Sequence, residues 1–415
     1  MSGDHPRIRA LAPFWYGPLT APSGIGLGFV SVTVAPILKS HGVGVATIAT
    51  LIALTTLPST LRFLIGPAID LSLSTIRWVW ITMVGIVLGI AAIAVTPLSV
   101  QTMPLLDVLG LLLGMALNAK SCAVAAAMAE TSPIGDRGRI AGWANVGSLG
   151  GAAMGGGAGL WIATHFGGVG VAGAVLAGAC MVCILPILWL RTPPIHRGES
   201  LAVRTLAVGQ AIVQLMRTRA GVLVAVAAVI PCSLGAAAGL FPVVAGDWRA
   251  TPDMVALFTG ALTGVATAPG CILGGFLCDR FPRRVVYIWA GVAYSVTLTL
   301  MIVAPHTPAW FAIMVLANAF VLGIGFAGIQ AVIYECLGDV GAATINAVLG
   351  SVCNIPVVAM TVIVGRVQTA HGSNAMLLAE ALAGFISIAG YAALAWFWKP
   401  AASGGDLVGA ATVEG

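Results

Sequence analysis

The sequence predicts an all-α membrane protein, with twelve transmembrane helices in two pseudo-symmetric six-helix bundles. Three observations predict it. The first is composition: 59% of the residues are hydrophobic and 8% charged, with a mean hydropathy of +1.03. A soluble domain carries about 25% charged residues, so a soluble enzyme is excluded as a class. The second is the spacing of apolar segments, each near the roughly 20 residues needed to cross a bilayer. The third is an internal repeat. Gly-Asp-x-Gly-x5-Ala-x2-Gly-Ser runs from Gly135 to Ser148 and again from Gly338 to Ser351, each copy a few residues after a glutamate, Glu130 or Glu335. A looser pair, Gly66 to Asp70 and Gly275 to Asp279, recurs at nearly the same offset. A duplicated half is the simplest source of both.

The first half supplies the apolar segments 15–38, 46–69, 77–97, 104–129, 139–164 and 168–190, and the second 220–243, 253–277, 285–304, 308–334, 342–366 and 374–398. This divides the chain into a first lobe over 1–191, a linker over 192–219, a second lobe over 220–399 and a tail over 400–415. The linker holds Pro193, Pro194 and His196, and its stretch 201–216 has helical apolar spacing with Arg204, Gln210 and Gln214 between. An amphipathic helix lying on the membrane surface is expected there.

Charge sets the expected orientation. With both termini inside, fourteen cations fall on the cytoplasmic side, and Lys39, Arg249 and Arg366 on the other. That is a positive-inside pattern, so the net charge of +5 is a topology signal and no nucleic-acid partner is expected. All eight cysteines fall in or at the ends of the apolar segments, and no structural disulfide is expected. Cys180 and Cys183 have metal-like spacing but no second pair, so no metal or other cofactor is expected. Gly323 to Gly328 matches a dinucleotide pattern but has no preceding strand. No cluster of acid/base residues supports an enzyme, the membrane-embedded transferase being the rival class. A monomer moving a small-molecule solute through the lipid bilayer is the favoured reading.

The two remaining cations, Arg62 and Lys120, fall inside spans. Lys120 lies ten residues before Glu130, about 15 Å along a helix at about 1.5 Å per residue, near the bilayer midplane. A lysine there costs about 2.5–3.5 kcal/mol, so it is expected to face a cavity and meet an anion, or to pair with an acid such as Glu380. Asn118 is close in sequence but about 200° round the helix. Arg62 either serves the cavity or extends to the inner surface. Asn145, Asn346, Asn354 and Gln330 are buried amides that line a cavity or join helices. Substrate contact is thus assigned to Lys120, Asn118, Arg62, Asn145, Asn346, Asn354 and Gln330. A gate is assigned to Asp70, Arg77, Glu130, Asp136, Arg137, Asp279, Arg280, Arg283, Arg284, Glu335 and Asp339, at matching helix ends in the two halves.

The stretch Gly274-Gly275-Phe-Leu-Cys-Asp279-Arg280-Phe-Pro-Arg283-Arg284 resembles the signature of major facilitator transporters, departing at Pro282 where that family prefers glycine. In the first half Asp70 is kept, but the next arginine, Arg77, follows seven residues later. Within that superfamily, Leu57-Pro58 followed by Arg62-Phe63-Leu64-Ile65-Gly66-Pro67-Ala68-Ile69-Asp70 resembles the AmpG-type permeases and their peptide–acetyl-CoA transporter relatives, some of which carry siderophores. Pro22-Ser23-Gly24, Gly42-Val43 and Pro133 to Gly138 add to the likeness. The resemblance implies the major facilitator fold, a bacterial inner-membrane location and proton-coupled import by alternating access of an anionic, muropeptide-like or siderophore-like solute. An efflux permease for an apolar metabolite is the alternative. Helix four departs from the AmpG type: Lys120-Ser121 and Ala125 stand where carboxylates and an amide are usual, so neither muropeptide specificity nor the usual proton site follows from the likeness there.

Overall fold

The computed structural model describes residues 11–189, 201–229, 235–338 and 340–397. Asp339, Cys232 and the tail therefore lie outside the described residues, as do Arg191, Arg197 and Lys399. Every regular element among the described residues is helical.

Helix one spans Pro13–Ser40, helix three Thr75–Val95, helix four Val100–Thr131 and helix six Val169–Trp189; helix eight spans Leu257–Arg280, helix nine Arg283–Val303, helix ten Pro308–Glu335, helix eleven Ala342–His371 and helix twelve starts at Ser373. These nine are each long and apolar enough to cross a membrane. A tenth is a bent pair, Thr47–Ser59 with Arg62–Leu71, turning by 47°. Pro58 lies at the break, where a ring without an N–H cannot continue the helical ladder. Helix five runs through Arg137–Ala153, Met154–Ala158 and Gly159–His165. The seventh expected span is described as Arg219–Val229 and the short turns between Ala238 and Trp248. The twelve-helix reading and the all-α class agree with this order. A further helix, Leu201–Arg217, occupies the linker and packs on helices seven and two.

The packing repeats with the sequence. Helix three packs on four and six, as helix nine packs on ten and twelve. Across the interface between lobes, helix five meets eight and ten, while helix eleven meets two and four.

Glycine makes the crossings close. A Cβ on Gly24 would fall on the carbonyl oxygen of Ser148, so only hydrogen lets helix one lie on helix five. Where the lobes touch, a Cβ on Gly66 would stand 2.6 Å from Thr344 Cα, and one on Gly275 2.8 Å from the Gly138 carbonyl oxygen. Small residues that admit backbone to backbone are the usual means of helix association in lipid. The outward faces are apolar, Val95 being 78% exposed.

Candidate functional site: a cationic cavity above a two-fold latch

Lys120 lies in the second half of helix four with no solvent exposure. Its Nζ donates to the carbonyl oxygen of Leu19 on helix one at 2.6 Å. An ammonium has three N–H groups, and this is its one hydrogen bond among the described residues. The chain does not pair it with Glu380. That carboxylate, 1% exposed, accepts instead from the Ala237 backbone N–H at 2.5 Å and from the Tyr294 hydroxyl at 3.2 Å.

Arg62 turns toward helix four rather than toward the end of its own helix. The bend in helix two puts it on the first turn of the second segment, and its Nε donates to Asn118 Oδ1 at 2.8 Å and its Nη2 to Ser121 Oγ at 3.0 Å. Asn118 is held in turn by its own amide, which donates to the Gly114 carbonyl at 2.9 Å. The 200° separation of Asn118 from Lys120 expected of a helix is thus used: one face of helix four fixes a guanidinium and another presents an ammonium.

Both cations line one cavity of about 130 Å³ at the lobe interface. The first lobe adds Thr20, Ser23, Ser121, Asn145 and Ser148, and the second adds Gln330 and Tyr334. No lining residue is acidic. Asn145 donates to the Ala141 carbonyl at 2.9 Å and to that of Phe326, across the interface, at 3.4 Å. Gln330 donates to Asn346 Oδ1 at 3.4 Å, so Asn346 stands behind the lining. Asn354 donates to the Ser59 carbonyl at 3.4 Å and also stands off the lining, as does Asn118. Sequence reasoning did not select Thr20, Ser23, Ser121, Ser148 or Tyr334. Ser148 had a signal, since it closes the first copy of the repeat; its counterpart Ser351 is buried with its Oγ unbonded among the described residues.

Below the cavity, on the arginine-rich side, the lobes are joined twice in the same way. Asp279, ending helix eight, caps the start of helix five: Oδ1 accepts from the Gly138 N–H at 2.9 Å, and Oδ2 from the Arg139 N–H at 3.2 Å and Arg139 Nε at 2.7 Å. Asp70, ending helix two, caps the start of helix eleven, accepting from Ala343 N–H at 3.2 Å, Thr344 N–H at 2.8 Å and the Thr344 hydroxyl at 2.6 Å. A carboxylate at a helix N-terminus meets free N–H groups and the positive end of the dipole. The two repeats seen in the sequence therefore grip each other, crosswise, between lobes.

Two arginines complete the joint. Arg137, 5% exposed, donates through Nη1 to the carbonyls of Tyr334 at 2.6 Å and Leu337 at 2.7 Å, closing the C-terminal end of helix ten. Arg283 donates to the Ile134 carbonyl and lies 4.0 Å from Glu335. Asp136 pairs with Arg139 at 2.5 Å, and Glu130 accepts from Thr75 Oγ1 at 2.6 Å. Arg77, Arg280 and Arg284 make no hydrogen bond or ion pair with the described residues, which sets them outside the latch.

The same architecture occurs in proteins of known structure. No curated protein matches the chain. Among solved structures, it is similar to a single-substitution form of the E. coli fucose:proton symporter FucP (TM-score 0.71, 15% identity, 92% of this chain and 98% of that one). It is also similar to the proton:xylose symporter XylE bound to 6-bromo-6-deoxy-D-glucose (TM-score 0.70, 12% identity, 94% and 96%) and to FucP in the outward conformation (TM-score 0.70, 16% identity, 92% and 98%). At these identities the likeness is one of fold. The sequence profile of the Major Facilitator Superfamily matches residues 17–344, and with most of the chain covered, this multi-pass membrane protein belongs to the Major Facilitator Superfamily.

Proposed function

We propose that the chain is a secondary transporter that moves an organic anion across the bacterial inner membrane by alternating access, with the latched side cytoplasmic. The single observation behind this reading is a cavity between lobes that holds two cations and no acid among its lining residues. Fixed charge inside a membrane is costly and marks ion or substrate paths. Lys120 and Arg62 together keep donors unspent after their protein partners are served, and a carboxylate or phosphate takes such donors in charge-assisted bonds. Thr20, Ser23, Asn145, Ser148, Gln330 and Tyr334 supply orienting polar contacts from both lobes, so a bound anion bridges them.

Cavity size narrows the cargo. About 130 Å³ encloses an acidic end group or a small organic anion. A muropeptide-like or siderophore-like cargo, the class implied by the AmpG-type likeness, would place its acidic group here and its bulk in the open cleft. Two cations in the lining disfavour an apolar cargo. Proton coupling is supported by the fucose and xylose symporters that share the fold. Inward direction is supported by the permease likeness, and sidedness by the arginines of the latched face.

The test is a thermal-shift screen of the purified protein against small organic anions, muropeptides and siderophores, run with wild type and Lys120→Ala. A ligand at about 100 times its Kd stabilises the folded form by about 2.7 kcal/mol. An anion that stabilises wild type and leaves Lys120→Ala unmoved supports the site. Equal stabilisation of both proteins removes Lys120 from binding, and stabilisation only by neutral apolar compounds removes the anion reading.

A further inference from the structure

The cavity asks for more than a negative charge. Its cations come from helices two and four, while helices one and five line it with Thr20, Asn145 and Ser148. Both N–H groups of the Asn145 amide are engaged, by the carbonyls of Ala141 at 2.9 Å and Phe326 at 3.4 Å. What that side chain still offers is Oδ1, an acceptor that no donor among the described residues meets. Thr20 has one hydroxyl hydrogen, and the carbonyls of Ala144 at 2.7 Å, Tyr16 at 2.9 Å and Gly17 at 3.1 Å compete for it. Toward the cavity it too can only accept. Ser148, one turn beyond Asn145 and on the same face of helix five, lines the cavity and makes no side-chain hydrogen bond among the described residues.

A carboxylate alone does not serve these oxygens. Ionised, it accepts and never donates. It can take the N–H groups that Lys120 keeps beyond its bond to Leu19, and those of Arg62 beyond its bonds to Asn118 and Ser121. The oxygens of Thr20, Asn145 and Ser148 would then face carbon, and polar groups closed off without a partner weaken a complex. The cargo therefore needs donors of its own beside its acid. An ammonium is unsuited, because it would stand beside two cations with no acid in the lining to offset it, and like charges repel. Hydroxyl groups donate without charge.

We propose that the acidic head of the cargo is a hydroxy acid, with its carboxylate between Lys120 and Arg62 and its hydroxyls donating to Asn145 Oδ1 and Ser148 Oγ. This identity rests on the anion site proposed above and narrows what fills it. Amino acids and plain aliphatic acids are excluded: the former bring a cation, the latter no donor.

Four three-carbon compounds separate the contributions in a ligand-observed NMR titration of the purified full chain. Glycerate carries the acid and the hydroxyls, propanoate the acid alone, glycerol hydroxyls alone, and serine an ammonium in place of the 2-hydroxyl of glycerate. Glycerate should bind most tightly. Each neutral hydrogen bond lost weakens binding about tenfold, so propanoate, lacking both hydroxyls, should bind roughly a hundredfold more weakly. Serine should also fall behind glycerate. Ser148→Ala should weaken glycerate about tenfold and leave propanoate unchanged, a split that a general disturbance of the fold does not produce. Propanoate or serine binding as tightly as glycerate overturns the hydroxy-acid head and leaves the anion site standing. So does Ser148→Ala weakening both acids equally or neither. Glycerate failing to bind overturns it as well. Glycerol binding as tightly as glycerate removes the anion site itself.

Discussion

Removing the Asp279 carboxylate should open the latched side of the molecule. In Asp279→Ala the N–H groups of Gly138 and Arg139, at 2.9 and 3.2 Å, lose their acceptor, and Arg139 loses an ion pair at 2.7 Å. Arg139 is half exposed, so that pair is worth about 0.5 kcal/mol. A carboxylate cap on a helix N-terminus is worth about 1–2 kcal/mol. The closed state thus loses about 2 kcal/mol relative to the open one, roughly a thirtyfold change in the ratio at about 1.4 kcal/mol per decade. Gly135 and Gly338, the first residues of the two repeat copies, lie one in each lobe, and a side chain at either meets nothing within 4 Å. Spin labels at those positions, in a background without the eight native cysteines, report the separation of the lobes. Asp279→Ala should move the distance distribution to longer values. Asp70→Ala, which removes three bonds at the equivalent place, should do the same. An unchanged distribution in both variants would refute the latch.

Three other substitutions separate packing, structure and binding. Gly24→Ala drives a Cβ into the Ser148 carbonyl, so helix one must move off helix five; a cost of about 1–3 kcal/mol or more should appear as a lower thermal midpoint, and a wild-type midpoint would contradict the close crossing. Glu380→Ala strands the Ala237 N–H and the Tyr294 hydroxyl; stability should fall by about 2–3 kcal/mol in denaturant titration while anion affinity stays unchanged. Arg62→Lys keeps the charge but cannot reach Asn118 and Ser121 as a planar fork does; calorimetry should show the anion bound about tenfold more weakly, the loss of one charge-assisted bond.

Architecture was legible because it is written in periodicity and charge. Apolar segments of spanning length, an arginine-rich side and a repeated Gly-Asp-x-Gly are properties of the sequence itself, and each has its counterpart among the helices. The close pairing of the Gly66 and Gly275 elements with the two repeat copies was legible only in part: the repeats announced equivalent places, but only coordinates show that each carboxylate reaches into the opposite lobe. Lys120 could be placed inside the fourth span by counting residues. Its partner could not, because a backbone carbonyl such as that of Leu19 carries no sequence signature; any residue has one. Arg62 was ambiguous for a different reason. A long flexible side chain has several destinations within reach, and the bend after Ser59 decides among them. Tyr334 escaped notice since an aromatic residue in an apolar run looks like packing.

The cavity and the latch are mechanically one device. Gly138, gripped by Asp279, and Asn145, which lines the cavity, are on the same helix, about 10 Å apart at about 1.5 Å per residue. Arg62 and Asp70 share the second segment of helix two, about 12 Å apart on the same measure. A helix cannot stretch, so a rigid shift of helix five, or of the second segment of helix two, that frees its cap also displaces a cavity residue on the same helix. In the reverse direction, on the function proposed above, an anion between Lys120 and Arg62 would offset the repulsion of two cations enclosed by approaching lobes, with Gln330 and Tyr334 lining the cavity from the second lobe. Binding energy is then available in the closed cavity and largely absent in the open cleft, and a ligand shifts a two-state equilibrium only by such a difference in affinity. The pseudo-symmetry has a further consequence. Because the two caps are equivalent, each contributes a similar share of the closure. Full opening has to release both, while a fluctuation that frees one helix end leaves the other carboxylate in place. On the proposed alternating-access function, that would give the joint a threshold, so that loss of one cap alone leaves the lobes joined at the other.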